Sequence, residues 1–183
     1  MKTITVTVYK FNELSEEAQK KAIQTHWNIN APSNWWKSIY EDAEKVDIKI
    51  NDFRLLNTGN YCNITITNCL KTANLITANH YEETATHTTA KNYIDDYNDL
   101  IKEYSDGVNT DKVTEENEGM FKGEISILDK YFEIDTANNY RDLLIEEYKY
   151  LISKEAVIET IQANDYDFTE DGNLYATYKK ITL

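Results

Sequence analysis

The spacing of apolar residues switches back and forth between a period of two and a period near 3.6 along this chain, and that order confines it to a mixed fold. Residues 3–9, TITVTVY, alternate Ile4, Val6 and Val8 with threonines, as a half-buried strand does. FNELSEEAQKKAIQTHW then turns helical: Ser15 is placed to cap, Glu16 and Glu17 sit in the positive first turn, and Ala18, Ala22 and Ile23 recur on one face. Pro32, the only proline, separates this helix from SNWWKSIYEDAEKV, where Ser33 is the expected cap and Trp36, Ile39, Tyr40 and Ala43 share a face. Alternation returns in 47–56 and 60–67, with a bulge expected at Asn51-Asp52 and turn chemistry in NTGN, which together predict a hairpin.

Helical spacing then dominates. Residues 69–82 read as a weak helix. A helix capped by Thr88 or Thr89 carries Tyr93, Tyr97, Leu100, Ile101 and Tyr104 on one face and ends at Gly107. Residues 120–152 predict one long helix, or two broken near Asp135-Thr136, and Ser153 starts a short helix through Ala163. The stretches YDFT and LYATYKKI around Glu170-Asp171-Gly172-Asn173 predict a second hairpin. The expectation is an α+β fold in a single domain over 1–183: an antiparallel sheet of about five strands with packed helices, and an acidic helical lobe at about 88–152 inserted between the two hairpins.

Charge divides the chain unevenly. Residues 1–94 balance ten acids with ten bases, whereas residues 95–171 hold twenty-two acids and seven bases, so the net charge of -13 comes from one half. A surface of that sign repels DNA and membrane headgroups and attracts basic proteins, including those that bind nucleic acid. No apolar run approaches a bilayer span and the start alternates, which predicts a soluble intracellular protein. Cys62 and Cys69, without a CxxC pattern, fit reduced thiols of the cytoplasm.

The charge is densest in NYIDDYNDLIKEYSDG, residues 92–107. At 100° per residue Asp95, Asp99, Glu103 and Asp106 form a stripe opposite the tyrosine face, with Asp96 beside it. Duplex DNA carries one charge per about 1.7 Å of axis, so one such stripe is too sparse to imitate it. The next segment, with Glu115, Glu116, Glu118, Glu124, Asp129, Glu133 and Asp135, and the final hairpin, with Asp165, Asp167, Glu170 and Asp171, hold the candidates for extending it. The same stripe also suits a plain solvated helix face. Trp35, one residue out of phase with the face of Trp36, is a secondary candidate for partner contact. His80, Glu82, Glu83 and His87 lie close together without metal-ligand spacing, and the sequence holds no phosphate-binding glycine loop, no GxSxG and no Cys-His signature. Neither a metal nor a cofactor is expected, and catalytic residues are not identified.

Phe11 to Ala22, FNELSEEAQKKA after a strand, together with WWKSIYEDA at 35–43 and AVIETIQANDYDFTEDGNLY at 156–175, resembles a family of phage and mobile-element proteins of Gram-positive bacteria. Their shared form is a strand, an F-(D/N)-E-L-S-x-E-A motif and a Trp-rich helix ending in E-D-A. Streptococcal proteins of this type are similar to type II anti-CRISPR inhibitors. The resemblance implies a partner, Cas9 with its guide RNA, in the cytoplasm of the infected or element-carrying cell. Inhibition through an acidic surface that blocks nucleic-acid engagement is the leading expectation. Action on the guide RNA by truncation or displacement, and a non-CRISPR accessory or antitoxin module, are the alternatives.

Overall fold

The computed structural model describes residues 6–56, 59–105, 113 and 117–175. The fold is mixed helix and strand, in two compact units. One is built from residues 1–35 and 146–183, the other from residues 36–145.

The first unit opens with strand β1 (Tyr9–Lys10), a 3-10 turn at Phe11–Glu13 and helix α1 (Glu16–Thr25). Ser15 caps α1 as expected, its hydroxyl accepting from the Ala18 amide at 3.3 Å, and Glu16 and Glu17 meet the partial positive charge of the helix start. Helix α6 (Lys154–Ala163) is capped in the same way by Ser153, which accepts from Ala156 at 3.2 Å. Strand β4 (Asp167–Phe168) returns antiparallel to β1, pairing Tyr9 with Phe168 and Lys10 with Asp167. Phe11, Leu14, Ala18 and Ala22 form one core with Val157, Ile161 and Phe168, and the Phe11 and Phe168 rings meet edge to face at 6.3 Å. Polar ties join the same segments: Lys10 Nζ reaches Asp165 and Asp167, and Lys21 Nζ reaches Asp171 at 2.8 Å.

Beyond β4 a tight turn sends the chain back, so that Phe168 also bridges to Leu174. Gly172, at φ +80°, lets the turn lie directly on α1: a Cβ there would fall 2.2 Å from the Ala18 carbonyl oxygen.

The second unit begins with helix α2 (Lys37–Lys45), then the hairpin of β2 (Ile48–Arg54) and β3 (Tyr61–Ile66). Its register shifts between Ile50 and Asp52, placing a bulge at Asn51 as the sequence predicts. Ile48, Ile50, Cys62 and Ile66 are buried, while Lys49 and Thr65 on the other face are exposed. Trp36 and Tyr40 set their rings across Phe53 at 5.5 and 6.3 Å. Helices α3 (Cys69–Asn79), α4 (Ala85–Tyr104) and the long α5 (Glu118–Leu151), whose residues up to Ile145 belong to this unit, follow.

Helix α5 is continuous through Asp135-Thr136. Phe132, Thr136, Tyr140 and Leu144 are buried at steps of four residues, so the buried stripe turns about 40° around the helix at each step. The second unit also holds a polar bridge in which Asp42 on α2 accepts the Tyr140 hydroxyl at 3.1 Å and lies 3.5 Å from His80 Nε2. His80 Nδ1 in turn meets the Thr86 hydroxyl at 2.7 Å, so this histidine joins the end of α3 to the start of α4.

Three expectations need correction. The five-stranded sheet is instead two two-stranded antiparallel sheets among the described residues, because β1 and β4 pair in one unit while β2 and β3 pair in the other. Strand β1 is only two residues long, and Val6 and Val8 are 46 and 37% exposed, because β4 offers only Phe168 and Asp167 before the chain turns away. The caps of two helices also differ. Thr84 caps α4, accepting from the His87 amide, since Thr86 and Ala90 are buried where α4 packs along α3 and so extend the helix backwards. Ser33 lies in a turn closed by Trp35 N–H on Pro32 O, and α2 starts later, at Lys37. The NTGN turn lies in part, and Gly107 and most of LYATYKKI wholly, outside the described residues.

Candidate protein-docking face

Helices α4 and α5 run antiparallel, side by side. Tyr104 and Tyr97 contact Phe121 with ring centroids 6.1 and 6.2 Å apart, Tyr93 lies 4.6 Å from Phe132, and Asn139 Nδ2 donates to Thr89 Oγ1 at 2.9 Å. As numbers fall along one helix they rise along the other. The tyrosine face expected from the sequence is therefore a packing face: Tyr93 is buried, and Tyr97 and Tyr104 are half-buried.

Tyr93 also locks the pair by donating its hydroxyl to Asp129 Oδ1 at 2.5 Å. Burial, then that carboxylate, pushes the Tyr93 phenol well above the ordinary tyrosine range. Tyr140 is raised likewise by burial and by Asp42.

With its aromatic side turned to α5, α4 leaves its acidic side in water. Asp95, Asp96, Asp99 and Glu103 are all exposed. Lysines meet two of them: Lys91 Nζ lies 3.0 Å from Asp95 and Lys102 Nζ 2.8 Å from Asp99. Asp96 and Glu103 have no lysine or arginine within ion-pair distance among the described residues, and their charge is uncompensated. Across the seam Glu124 of α5 is exposed and likewise has no lysine or arginine within ion-pair distance among the described residues. These groups rim an open groove of about 330 Å³ between the two helices, with Leu100 and Leu128 in its floor. Every charged residue among those lining it is acidic. An open, single-sign rim over an apolar floor is chemically complementary to a cationic surface that also carries apolar groups.

The remaining candidates lie elsewhere. Glu118 stands exposed in the first turn of α5, where Lys122 bonds it at 2.6 Å and lowers its pKa. Asp106, Glu115 and Glu116 lie outside the described residues. Trp35 is half-buried in the first unit, its ring 5.3 Å from that of Tyr148.

A second concavity of about 590 Å³ opens in the second unit beside the start of α3. Its charges are mixed, Lys130 lying among Asp129 and Glu133, and Asp129 is engaged by Tyr93. The two cysteines are buried free thiols. Burial, with Asp52 nearby, pushes Cys62 up to about 11, and burial with Asp129 and Glu133 pushes Cys69 up to about 12. Such thiols are poor nucleophiles. Among the described residues there is no cluster of side chains suited to hold a metal ion, and no helix long and apolar enough to cross a membrane.

Sequence reasoning found the acids of α4 and offered Glu124 among the residues that could extend their row, and it missed Ile127, which lines the same groove from α5. The signal was present as apolar residues seven apart at 120, 127 and 134, but the stronger pattern through Phe121, Phe132 and Leu144 absorbed it. Comparisons of this chain with protein-family models, with curated proteins and with solved structures gave no match.

Proposed function

We propose that this protein is an inhibitory binding module whose α4–α5 face docks on a basic nucleic-acid-binding protein and obstructs its nucleic acid. The observation that carries this reading is the run of four exposed carboxylates on α4 with Glu124 across the groove, two of the four lacking a lysine partner. Residues four apart on a helix rise by about 6 Å, so these charges do not reproduce the spacing of duplex phosphates. They suit competition for the arginines and lysines that grip phosphate, which steers association and occupies the basic surface. The resemblance of the terminal motifs directs the proposal to Cas9 with its guide RNA, inside a bacterial cell that carries a phage or mobile element.

The test measures target-duplex binding and cleavage by guide-loaded Cas9 with and without the protein, with the guide run on a gel from the same tubes. Lost duplex binding over an intact guide is the expected result. The variant Asp95→Asn, Asp96→Asn, Asp99→Asn, Glu103→Gln inhibits more weakly, with the larger loss at low salt. Equal inhibition by that variant reduces the acidic row to a solvated face, and a shortened guide moves the action to the RNA.

A further inference from the structure

Helix α5 carries a second apolar stripe that the fold leaves in water. Met120, Ile127, Tyr131 and Ile134 are 60, 53, 62 and 45% exposed. At 100° per residue they fall within about 60° of one another, on the side of α5 opposite the buried stripe of Phe132, Thr136 and Tyr140. A surface helix needs one apolar side to reach its core, and a second, contiguous one marks a contact with something else.

The spacing says what kind of contact. Met120, Ile127 and Ile134 repeat every seven residues and Tyr131 follows Ile127 by four, the alternation of four and three found in a helix seam. The stripe runs from Met120 to Ile134, a rise of about 21 Å or roughly four turns. A straight apolar line of this length with alternating four and three spacing is the surface that a second helix packed at a shallow angle can follow from end to end.

The charge says which helix. On the α4 side the stripe is bordered by Asp96, Asp99 and Glu103, and Glu124 lies against it on α5. A second copy of this chain would bring the same carboxylates against themselves. A helix with lysines and arginines flanking an apolar line would meet them with opposite charge and place its apolar line on Ile127, Tyr131 and Leu100.

We infer that the groove between α4 and α5 is the seat of a basic amphipathic helix of the partner protein, bound as a third helix beside the pair. This rests on the docking reading above and narrows it: the acids orient and attract the helix, and the apolar stripe holds it. Ile127 and Tyr131 are the anchors, because they line the groove and are among the most exposed apolar residues of α5.

The probe is a fluorescein-labelled three-heptad peptide with leucine at the seam positions and lysine or arginine at the flanking ones. Its control is a scrambled peptide of identical composition whose leucines share no face. Fluorescence anisotropy near physiological salt is expected to show the amphipathic peptide binding about tenfold or more tightly than the control. The variant Ile127→Ser, Tyr131→Ser, folded by circular dichroism because both side chains are exposed, is expected to lose that preference and keep the weak, salt-sensitive binding common to both peptides. Equal binding of the two peptides to the parent overturns the inference, since charge alone would then be at work. A parent that sediments as a dimer and a serine variant that sediments as a monomer also overturn it, assigning the stripe to contact between copies. The Cas9 measurement is independent. Peptide preference without any effect on Cas9 keeps the groove and removes that partner, whereas charge-sensitive Cas9 inhibition without peptide preference keeps the partner and removes the helix.

Discussion

Replacing Gly172 by alanine separates two costs that glycines usually hide. Gly172 and Gly59 both hold positive φ, +80° and +78°, and an alanine at either must adopt a backbone conformation that costs it about 1–2 kcal/mol. At Gly59 nothing lies within 4 Å of the added Cβ, so the cost ends there. At Gly172 the Cβ falls 2.2 Å from the Ala18 carbonyl oxygen and 2.9 Å from its carbon, both backbone atoms of a helix packed in the core. Neither can swing aside as a side chain would, so the turn must lift from α1 by about 1 Å, adding the 1–3 kcal/mol typical of overpacking. The total for Gly172→Ala is about 2–5 kcal/mol, a large share of the stability of a unit this small. Native-state hydrogen exchange reads the units separately. The slowest amides of α1 and α6 should exchange about thirtyfold faster or more, while those of β2 and β3 hold their rates. Gly59→Ala should cost only the backbone part. If Gly172→Ala exchanges no faster in α1 than the parent, the close approach of the turn to the helix is refuted.

Two further outcomes concern buried groups. Tyr93 and Tyr140 are raised by burial and by Asp129 and Asp42, so their contribution to stability is whole below about pH 10, where the unfolded chain also holds its phenol protons. It is lost as pH rises from there towards the raised native values. Spectrophotometric titration should leave Tyr93 and Tyr140 un-ionised at pH 11 and release them together as the protein unfolds; ionisation of these two in the folded protein by pH 11 would contradict this. Cys62 and Cys69, buried and raised to about 11 and about 12, should resist iodoacetamide at pH 8 in the native protein and react stoichiometrically in denaturant, as counted by mass spectrometry.

What the sequence discloses depends on the range of the interaction. The caps at Ser15 and Ser153 and the bulge at Asn51 are local, and the residues that make them lie within a few positions of one another. Helix α4 starts earlier than its periodicity predicts for a tertiary reason: it begins where its packing on α3 begins, not at the threonine nearest the strongest periodicity. Strand pairing was less legible still. Alternation identifies a strand without identifying its partner, so nothing in TITVTVY announces that Tyr9 pairs with Phe168. At the candidate face, the acids of α4 were legible because charge is a property of residue type. The groove was not, because it sets Ile127 against those acids from a helix whose two apolar stripes overlap in the sequence, even though Glu124 was legible as an acid that could join them.

One feature of the fold bears on how the chain is made. Residues 36–145 form a unit from one contiguous stretch, whereas the other unit joins residues 1–35 to residues 146–183. During synthesis the acidic helices can close around their own core while α1 still waits for Val157, Ile161 and Phe168, the residues that cover Phe11 and Ala22. A chain whose residues 36–145 have left the ribosome while residues 146–183 have not would thus display the acidic face of α4 and α5 with its early residues still open. Deleting β1 or deleting β4 should leave the same unit unfinished, although the two strands lie at opposite ends of the sequence.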